Sequence, residues 1–467
     1  MSILPHTSKY TAIMNEDFAA MMAAIVINQT AKKFSIRAEK RTIMGGKPWK
    51  WIAYGLFSKR APAYSTLEYA ALNQIDSLTD LDVEAFVAVL NSDHPEEELC
   101  GTPAGVVEER NATLKAGASI RWKFSQGQLV VHDRIKPINI ASDVRCVRTF
   151  SDDGDSEWVY AMIPSLGRCQ VQRDDLVFDF SGAIESRPGA LKSLALGFNK
   201  EEDTYPVTNG VPQFLAAIGS TLKELTLDGP RDELGENVIV RHCPNLHRLS
   251  LCGGIIDVQL DFSHYRYDNL PVPELKCNWH DVRALAADLG DLNNPFSKIV
   301  PKLRIRLNDK CKRWRQVAGG YNFDKLPGDI KALLGMLTAN RHLAYLDVLM
   351  LTEDHKYGNG FKKQHRKPID ISAKLPRNVK LAFLSVISAR TAPASNKRAR
   401  RASQATPMVG GLDERVVSKI FSFTGPPQLR RVYFRTTKHY WEPYFDLYGD
   451  LDEDDEFDDD EEAGDGN

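Results

Sequence analysis

The sequence predicts an α+β N-terminal domain followed by an irregular α/β leucine-rich-repeat solenoid, with parallel strands, convex helices and a C-terminal helical cap. Three observations carry that prediction. The first is an L-x-x-L-x-L run in three copies: Leu191, Leu194, Leu196; Leu222, Leu225, Leu227; and Leu246, Leu249, Leu251. In such a run a short strand sends alternate side chains into a core shared with its neighbours. The second is helical spacing between the copies, as in Val211, Phe214, Leu215 and Ile218, and in Val282, Leu285 and Leu289. The third is a decaying continuation through Val272, Leu275 and Cys277, then Val300, Leu303 and Ile305, then Leu343, Leu346 and Val348. First-position spacings run 31, 24, 26, 28 and 43 residues. Repeats of about 20–29 residues are usual, so the last interval reads as an insertion.

The remaining segments follow from composition and period. Residues 1–110 read as a mostly helical region. Its apolar run 18–27 is too short to span a bilayer and lacks the basic flank of a secretory signal, so it reads as a core helix. Trp49, Trp51, Tyr54 and Phe57 form an aromatic segment that should dock on a core. Thr79 is positioned to cap a helix over 77–90 whose apolar face is Leu81, Val83, Phe86, Val87 and Leu90. From 111 to 180 the period drops to two, with a dense turn at 151–157, which predicts a small antiparallel β domain of SH3 or Tudor type at most. The repeats fill 181–351. A basic loop (Lys356, Lys362, Lys363, Arg366, Lys367) and a capping helix through Val379, Ala382, Phe383, Val386 and Ile387 fill 352–388. Residues 389–411 read as a basic linker, 412–449 as a final helix and strand, and 450–467 as a disordered acidic tail.

Charge is distributed unevenly. The chain of 467 residues has a net charge of -2, yet residues 450–467 hold twelve acids and no Lys or Arg. Without them 50 acids face 60 bases, a body of +10. Seven cysteines, odd in number and widely spaced with no C-x-x-C, favour reduced thiols in an intracellular protein, cytoplasmic or nuclear.

The best candidate for a binding surface is the outward side of the repeat strands. Glu224, Asp228, Arg248, Lys276, Lys302, Arg304 and Arg306 fall at its alternate positions. The later strands carry three cations in one row, which should attract an anionic protein partner. Nucleic acid, a membrane and a cofactor are not expected partners. In the linker, Lys397, Arg398, Arg400 and Arg401 form a candidate import signal. Arg400, Arg401 and Ser403 form a candidate basic-directed phosphosite, where phosphate would offset the cluster. Nucleotide-loop, nucleophile-elbow and zinc-protease motifs are missing, so no catalytic residue is assigned. His242, Cys243 and His247 are split between loop and strand and do not make a tetrahedral metal site. Trp122, Phe124, Phe150, Trp158 and Tyr160 raise the alternative of an aromatic cage for a cationic side chain, as in a nuclear, chromatin-associated reader.

Several stretches resemble a set of uncharacterised leucine-rich-repeat-like proteins of oomycetes, of the Phytophthora type. They include 51–60, 94–103, 147–154, 167–176, 243–254, 380–386 and 412–423. The resemblance implies the same composite of N-terminal domain, repeats and C-terminal helix, and brings no activity or ligand. A weaker resemblance is to F-box receptors with leucine-rich repeats. It rests on the apolar rhythm of 412–423, which lacks the leading Leu-Pro and follows the repeats instead of preceding them. It implies the role of a ubiquitin-ligase substrate receptor.

Overall fold

The computed structural model describes residues 15–37, 46–61, 65–122, 138–178, 191–198, 207–229, 238–252, 255–263, 281–307, 323–372, 379–385 and 427–437. Its strands in chain order are β1 (Lys33–Arg37), β2 (Tyr69–Ile75), β3 (Arg110–Leu114), β4 (Ser119–Trp122), β5 (Ile138–Asn139), β6 (Val144–Phe150), β7 (Trp158–Ile163), β8 (Gly167–Gln172) and β9 (Leu176–Phe178). They continue as β10 (Ser193–Phe198), β11 (Glu224–Asp228), β12 (Arg248–Cys252), β13 (Ile256–Asp261), β14 (Lys302–Leu307), β15 (Tyr345–Leu351), β16 (Pro368–Ser372), β17 (Pro427–Leu429) and β18 (Arg431–Thr437).

Nine of these strands make one sheet in the order β1-β2-β10-β11-β12-β13-β14-β15-β18. The leucine positions set its register: Leu194 lies beside Leu225, which lies beside Leu249, and Leu196, Leu227 and Leu251 follow the same rule. Those side chains share one continuous core with Phe214 and Leu215 of the helix Val211–Ile218, Leu289 of Val282–Gly290, and Ile330, Leu333 and Leu337 of Leu326–Ala339. The opposite face therefore receives the alternate, polar residues. Successive units stack closely: an added Cβ at Gly219 would lie 2.5 Å from the His242 carbonyl oxygen, so only glycine fits there.

The sheet departs from the sequence expectation at three places. It begins at Lys33 rather than at 181, because β2 pairs in parallel with β10, Ala70 beside Leu194 and Leu72 beside Leu196. Leu67, Ala70 and Leu72 thus stand where Leu191, Leu194 and Leu196 stand one strand later; alanine at the middle position hides the motif. Secondly, β13 runs antiparallel to both β12 and β14, so the strands are not all parallel. Thirdly, the edge next to the expected cap is β18, paired in parallel with β15. The helical residues 379–385 leave Val379, Leu381, Phe383 and Leu384 exposed, Leu381 by 54%, and do not form the buried lid that their spacing predicts. The repeat expected at 272–277 lies outside the described residues, as do the linker with Lys397, Arg398, Arg400, Arg401 and Ser403, the helix at 412–423 and the acidic tail.

The connection between β2 and β10 holds a second sheet of seven antiparallel strands, ordered β5-β4-β8-β7-β6-β3-β9. One face encloses its own small core of Leu114, Ile120, Val147, Val159, Ala161, Cys169 and Val171. The other face gives Phe150 and Met162 to the main core, and β7 and β8 pack on the helix Asn15–Ile25. Gly167 makes that approach: its φ is +75°, and an added Cβ would lie 3.4 Å from the backbone of Ala19 and Ala20. The helix Asp80–Asn91 starts at Thr79, whose hydroxyl and Asp82 form a capping box. Leu81, assigned above to its apolar face, is 73% exposed because it lies about 200° round the helix from buried Val83 and points away from the core.

A buried arginine ties the last strand to the body. Among the described residues Arg430 has no acidic partner; its Nε donates to the Leu343 carbonyl at 2.9 Å and its two terminal nitrogens donate to the carbonyls of Leu337 and Asn340. These carbonyls end the helix Leu326–Ala339 or follow it, where a cation meets the negative pole of the helix. Asn340, also buried, donates to the carbonyls of Leu289 and Ser297 and accepts from the backbone of His342 and Leu343. Arg430→Ala would leave buried acceptors unmatched at about 1–3 kcal/mol each. Chemical denaturation is expected to show a loss of about 3 kcal/mol or more; a loss below about 1 kcal/mol would contradict this role.

Candidate functional site

On β14, Leu303, Ile305 and Leu307 enter the core, so Lys302, Arg304 and Arg306 point to the opposite face. Register then decides their neighbours. Lys302 stands between Gln259 and Tyr345, and Arg304 between Asp257 and Asp347. On β18, Tyr433 stands beside Asp347 and Arg435 beside Leu349. Arg304 Nε lies 3.3 Å from one Asp347 oxygen and Arg435 Nε 3.4 Å from the other. Arg306 donates to Asp257 at 2.8 Å. Tyr345 and Tyr433 lie with ring centroids 5.6 Å apart, and the Arg435 guanidinium sits 5.4 Å from the Tyr433 ring centre.

This arrangement corrects the picture of three exposed cations in a row. Asp347 is 1% exposed and Arg304 9%. Burial raises the Asp347 carboxyl above its ordinary range, and the charges of Arg435 and Arg304 pull it back down in part. Burial likewise raises the Tyr345 hydroxyl, with the Asp347 charge adding to it. The row is thus a network of three guanidiniums around two carboxylates, with Lys302 half-buried at its margin. Glu224 and Arg248 pair with each other at 3.3 Å on adjacent strands, both about half exposed. Such a surface pair contributes little to stability. Asp228 ends β11 beside Cys252. Lys276 lies outside the described residues. The two groups of expected site residues are parted by β13, a strand outside the leucine pattern whose Ile256, Val258 and Leu260 alternate with Asp257, Gln259 and Asp261. The alternation of Tyr345, Asp347 and Leu349 and of Arg431, Tyr433 and Arg435 was equally available as a signal.

A second polar cluster sits where the seven-stranded sheet meets the N-terminal helices, around a narrow cleft lined in part by Tyr54, Arg60, Glu96, Asn111, Cys146 and Arg148. Glu96 is fully buried and accepts from the Tyr54 hydroxyl at 3.0 Å and from Arg60 Nε at 3.3 Å. Arg60 also donates to Glu109, and Arg148 reaches the same Glu109 oxygen at 3.2 Å and Asn111 at 3.2 Å. Burial first, then the Glu96 charge, raises the Tyr54 hydroxyl and the Glu109 carboxyl. Among the described residues, one group of three side chains has metal-compatible spacing, namely His94, Glu97 and Glu109. Two arginines already hold Glu109, and Glu97 accepts the backbone N–H of Gly105 and of Ser151 at 2.9 Å each. The cluster therefore reads as a charged joint between the two sheets. His242, Cys243 and His247 form no such group.

The aromatic positions are also occupied. Phe150 is fully buried and stacks on Tyr160. The Arg121 guanidinium lies 3.7 Å from the Trp158 ring centre, and Arg168 covers Tyr160 at 5.1 Å. The side chain of Trp122 and residue Phe124 lie outside the described residues. Among the described residues no disulfide joins the cysteines. Burial pushes the thiols of Cys100 and Cys169 up to about 12, so both stay protonated at neutral pH and are poor nucleophiles.

Two outcomes follow. Arg304→Glu would set a third carboxylate between Asp257 and Asp347, and the buried mismatch should cost about 3–5 kcal/mol in denaturation free energy; unchanged stability would contradict the buried pairing. The raised Glu109 carboxyl favours its protonated form in the folded chain. The stability it contributes is present below its ordinary value of 4.5 and is lost as pH rises through the raised value. Glu109→Gln is expected to flatten that limb of a stability–pH curve, whereas a slope equal to the wild type would contradict it.

Among the described residues no helix is long and apolar enough to cross a membrane. No protein-family model, curated protein or solved structure matches the chain.

Proposed function

We propose that the nine-stranded sheet with its one-sided helices is a leucine-rich-repeat solenoid, and that the chain is a non-catalytic intracellular scaffold. It recognises a protein partner on the open strand face, at the β13-β14-β15-β18 end. The observation that carries this reading is the patch of Tyr345, Tyr433, Arg304, Arg306 and Arg435, packed together on one face. Tyrosine and arginine are the residues that most often dominate interface energetics. Here Asp257 and Asp347 fix the guanidiniums beforehand, which lowers the entropy lost on binding. The excess of one cation over the two carboxylates, with Lys302 and Arg431 at the margins, favours an anionic surface on the partner.

Tyr433→Ala removes one ring and leaves the Arg304–Asp347 pair in place. Affinity purification of the full chain with mass spectrometry is expected to recover a reproducible partner set that falls at least tenfold in Tyr433→Ala, with an unchanged melting temperature. The same set at the same yield would sink the strand-face reading.

A further inference from the structure

The face described above ends at β18, and a segment that is not a strand covers the start of that edge. Arg366 N–H donates to the Arg430 carbonyl at 2.8 Å, and Arg430 N–H donates to the Lys367 carbonyl at 2.9 Å. Val432 N–H donates to His365 Nδ1 at 3.1 Å. Phe361, just before, stacks on Phe434 with centroids 5.3 Å apart. An open edge would recruit another strand, and a covered one does not.

The covering segment is unusually basic. Lys362, Lys363, Arg366, Lys367 and Arg431 are all exposed, and among the described residues none of the five makes an ion pair. From 355 to 369 the sequence contains no acid. Arg366 also has φ +59°, the left-handed region that costs a non-glycine residue about 1–2 kcal/mol. Glycine would hold this turn more cheaply, yet the chain places a guanidinium there, beside Lys367 and opposite Arg430. Four cations of this rim thus lie in one short segment that meets Arg430 and the start of β18, where Arg431 adds a fifth, and none of the five has an ion pair among the described residues.

We propose that this rim is the docking site of the chain's own acidic segment, 450–467. Charge complementarity selects the occupant: the tail has twelve acids and no base in eighteen residues, and the five cations have no ion-pair partner among the described residues. Reach permits it. The described chain leaves the sheet at Thr437, and residues 438–449 span at most about 40 Å when extended. Running back along β18 takes about 20 Å. Docked there, the tail lies next to Tyr433 and Arg435 and competes with an anionic partner for the neighbouring strand face. The rim meets the strand face at Arg431 alone, and its cross-links are read at Lys362, Lys363 and Lys367, so its fate and that of the strand-face reading, tested at Tyr433, are told apart.

Carbodiimide cross-linking of the full-length chain tests the contact, because this reagent joins carboxylates directly to lysine amines. Tail peptides are expected to link to Lys362, Lys363 and Lys367. Mixing isotopically light and heavy chains should show these links within single molecules. They should fall at least fivefold in 1 M NaCl, where the Debye length is about 3 Å. Arg366→Gly with Arg431→Gln should reduce them at least threefold while the glycine relieves the strained turn, so a weakened fold does not account for the loss. The proposal is overturned by tail links concentrated on Lys397 or on lysines of the seven-stranded sheet such as Lys115, by links found only between molecules, or by links indifferent to the double variant. Heparin that saturates the rim without lowering the tail links would also overturn it, and would mark an external polyanion as the occupant.

Discussion

The structure depends on the register of one sheet. Because side chains alternate along a strand, one fixed register puts Leu194, Leu225, Leu249, Leu303 and Leu346 into the core and their neighbours onto the open face. A slip by one residue on any strand would expose its leucines and bury its charges. Apolar burial selects the register, and the charged network then follows from it. Asp257, Arg304 and Asp347 meet because they share one level of three adjacent strands. Burying such ions is costly unless each is matched, so the network raises the penalty for any other pairing.

The two ends of the sheet are finished differently. At the N-terminal end β1 and β2 extend it, and the seven-stranded sheet inserted after β2 packs back through the helix Asn15–Ile25 and the Glu96–Arg60–Glu109–Arg148 cluster. At the other end Arg430 fastens β18 to the carbonyls after the helix Leu326–Ala339, while residues 365–367 occupy the outer side of the strand. Polar and charged groups do this work where the apolar repeat has faded. The proposed strand-face surface lies beside the second of these ends, next to exposed cations that pair with no acid among the described residues.

Much of the core was legible because leucine at three fixed positions is a strong signal, and strands β10, β11 and β12 fall on it. The strand β2 was not, since Ala70 fills the place of a leucine and 124 residues separate Leu67 from Leu191. The direction of β13 was not legible either: its alternation marks a strand, but between β12 and β13 the sequence offers only Gly253-Gly254 as a sign of reversal. For the candidate site, periodicity gave the outward direction of Arg304 and Arg306 and nothing about their burial. That depends on Asp347, 43 residues from Arg304, and on Asp257, 49 residues from Arg306, carboxylates that only the sheet order brings to the same level. Charge counts along a chain do not reveal which charges neutralise each other across strands.

The central claim is that one continuous sheet runs from the N-terminal region through the repeats to β18. Amide hydrogen exchange of the full chain, read by mass spectrometry, tests it most directly, since amides of a cooperative sheet open together. Peptides covering 69–75 and 431–437 should exchange as slowly as those covering 193–198 and 224–228. Fast exchange at 69–75 or 431–437, with protection confined to the leucine repeats, would contradict it.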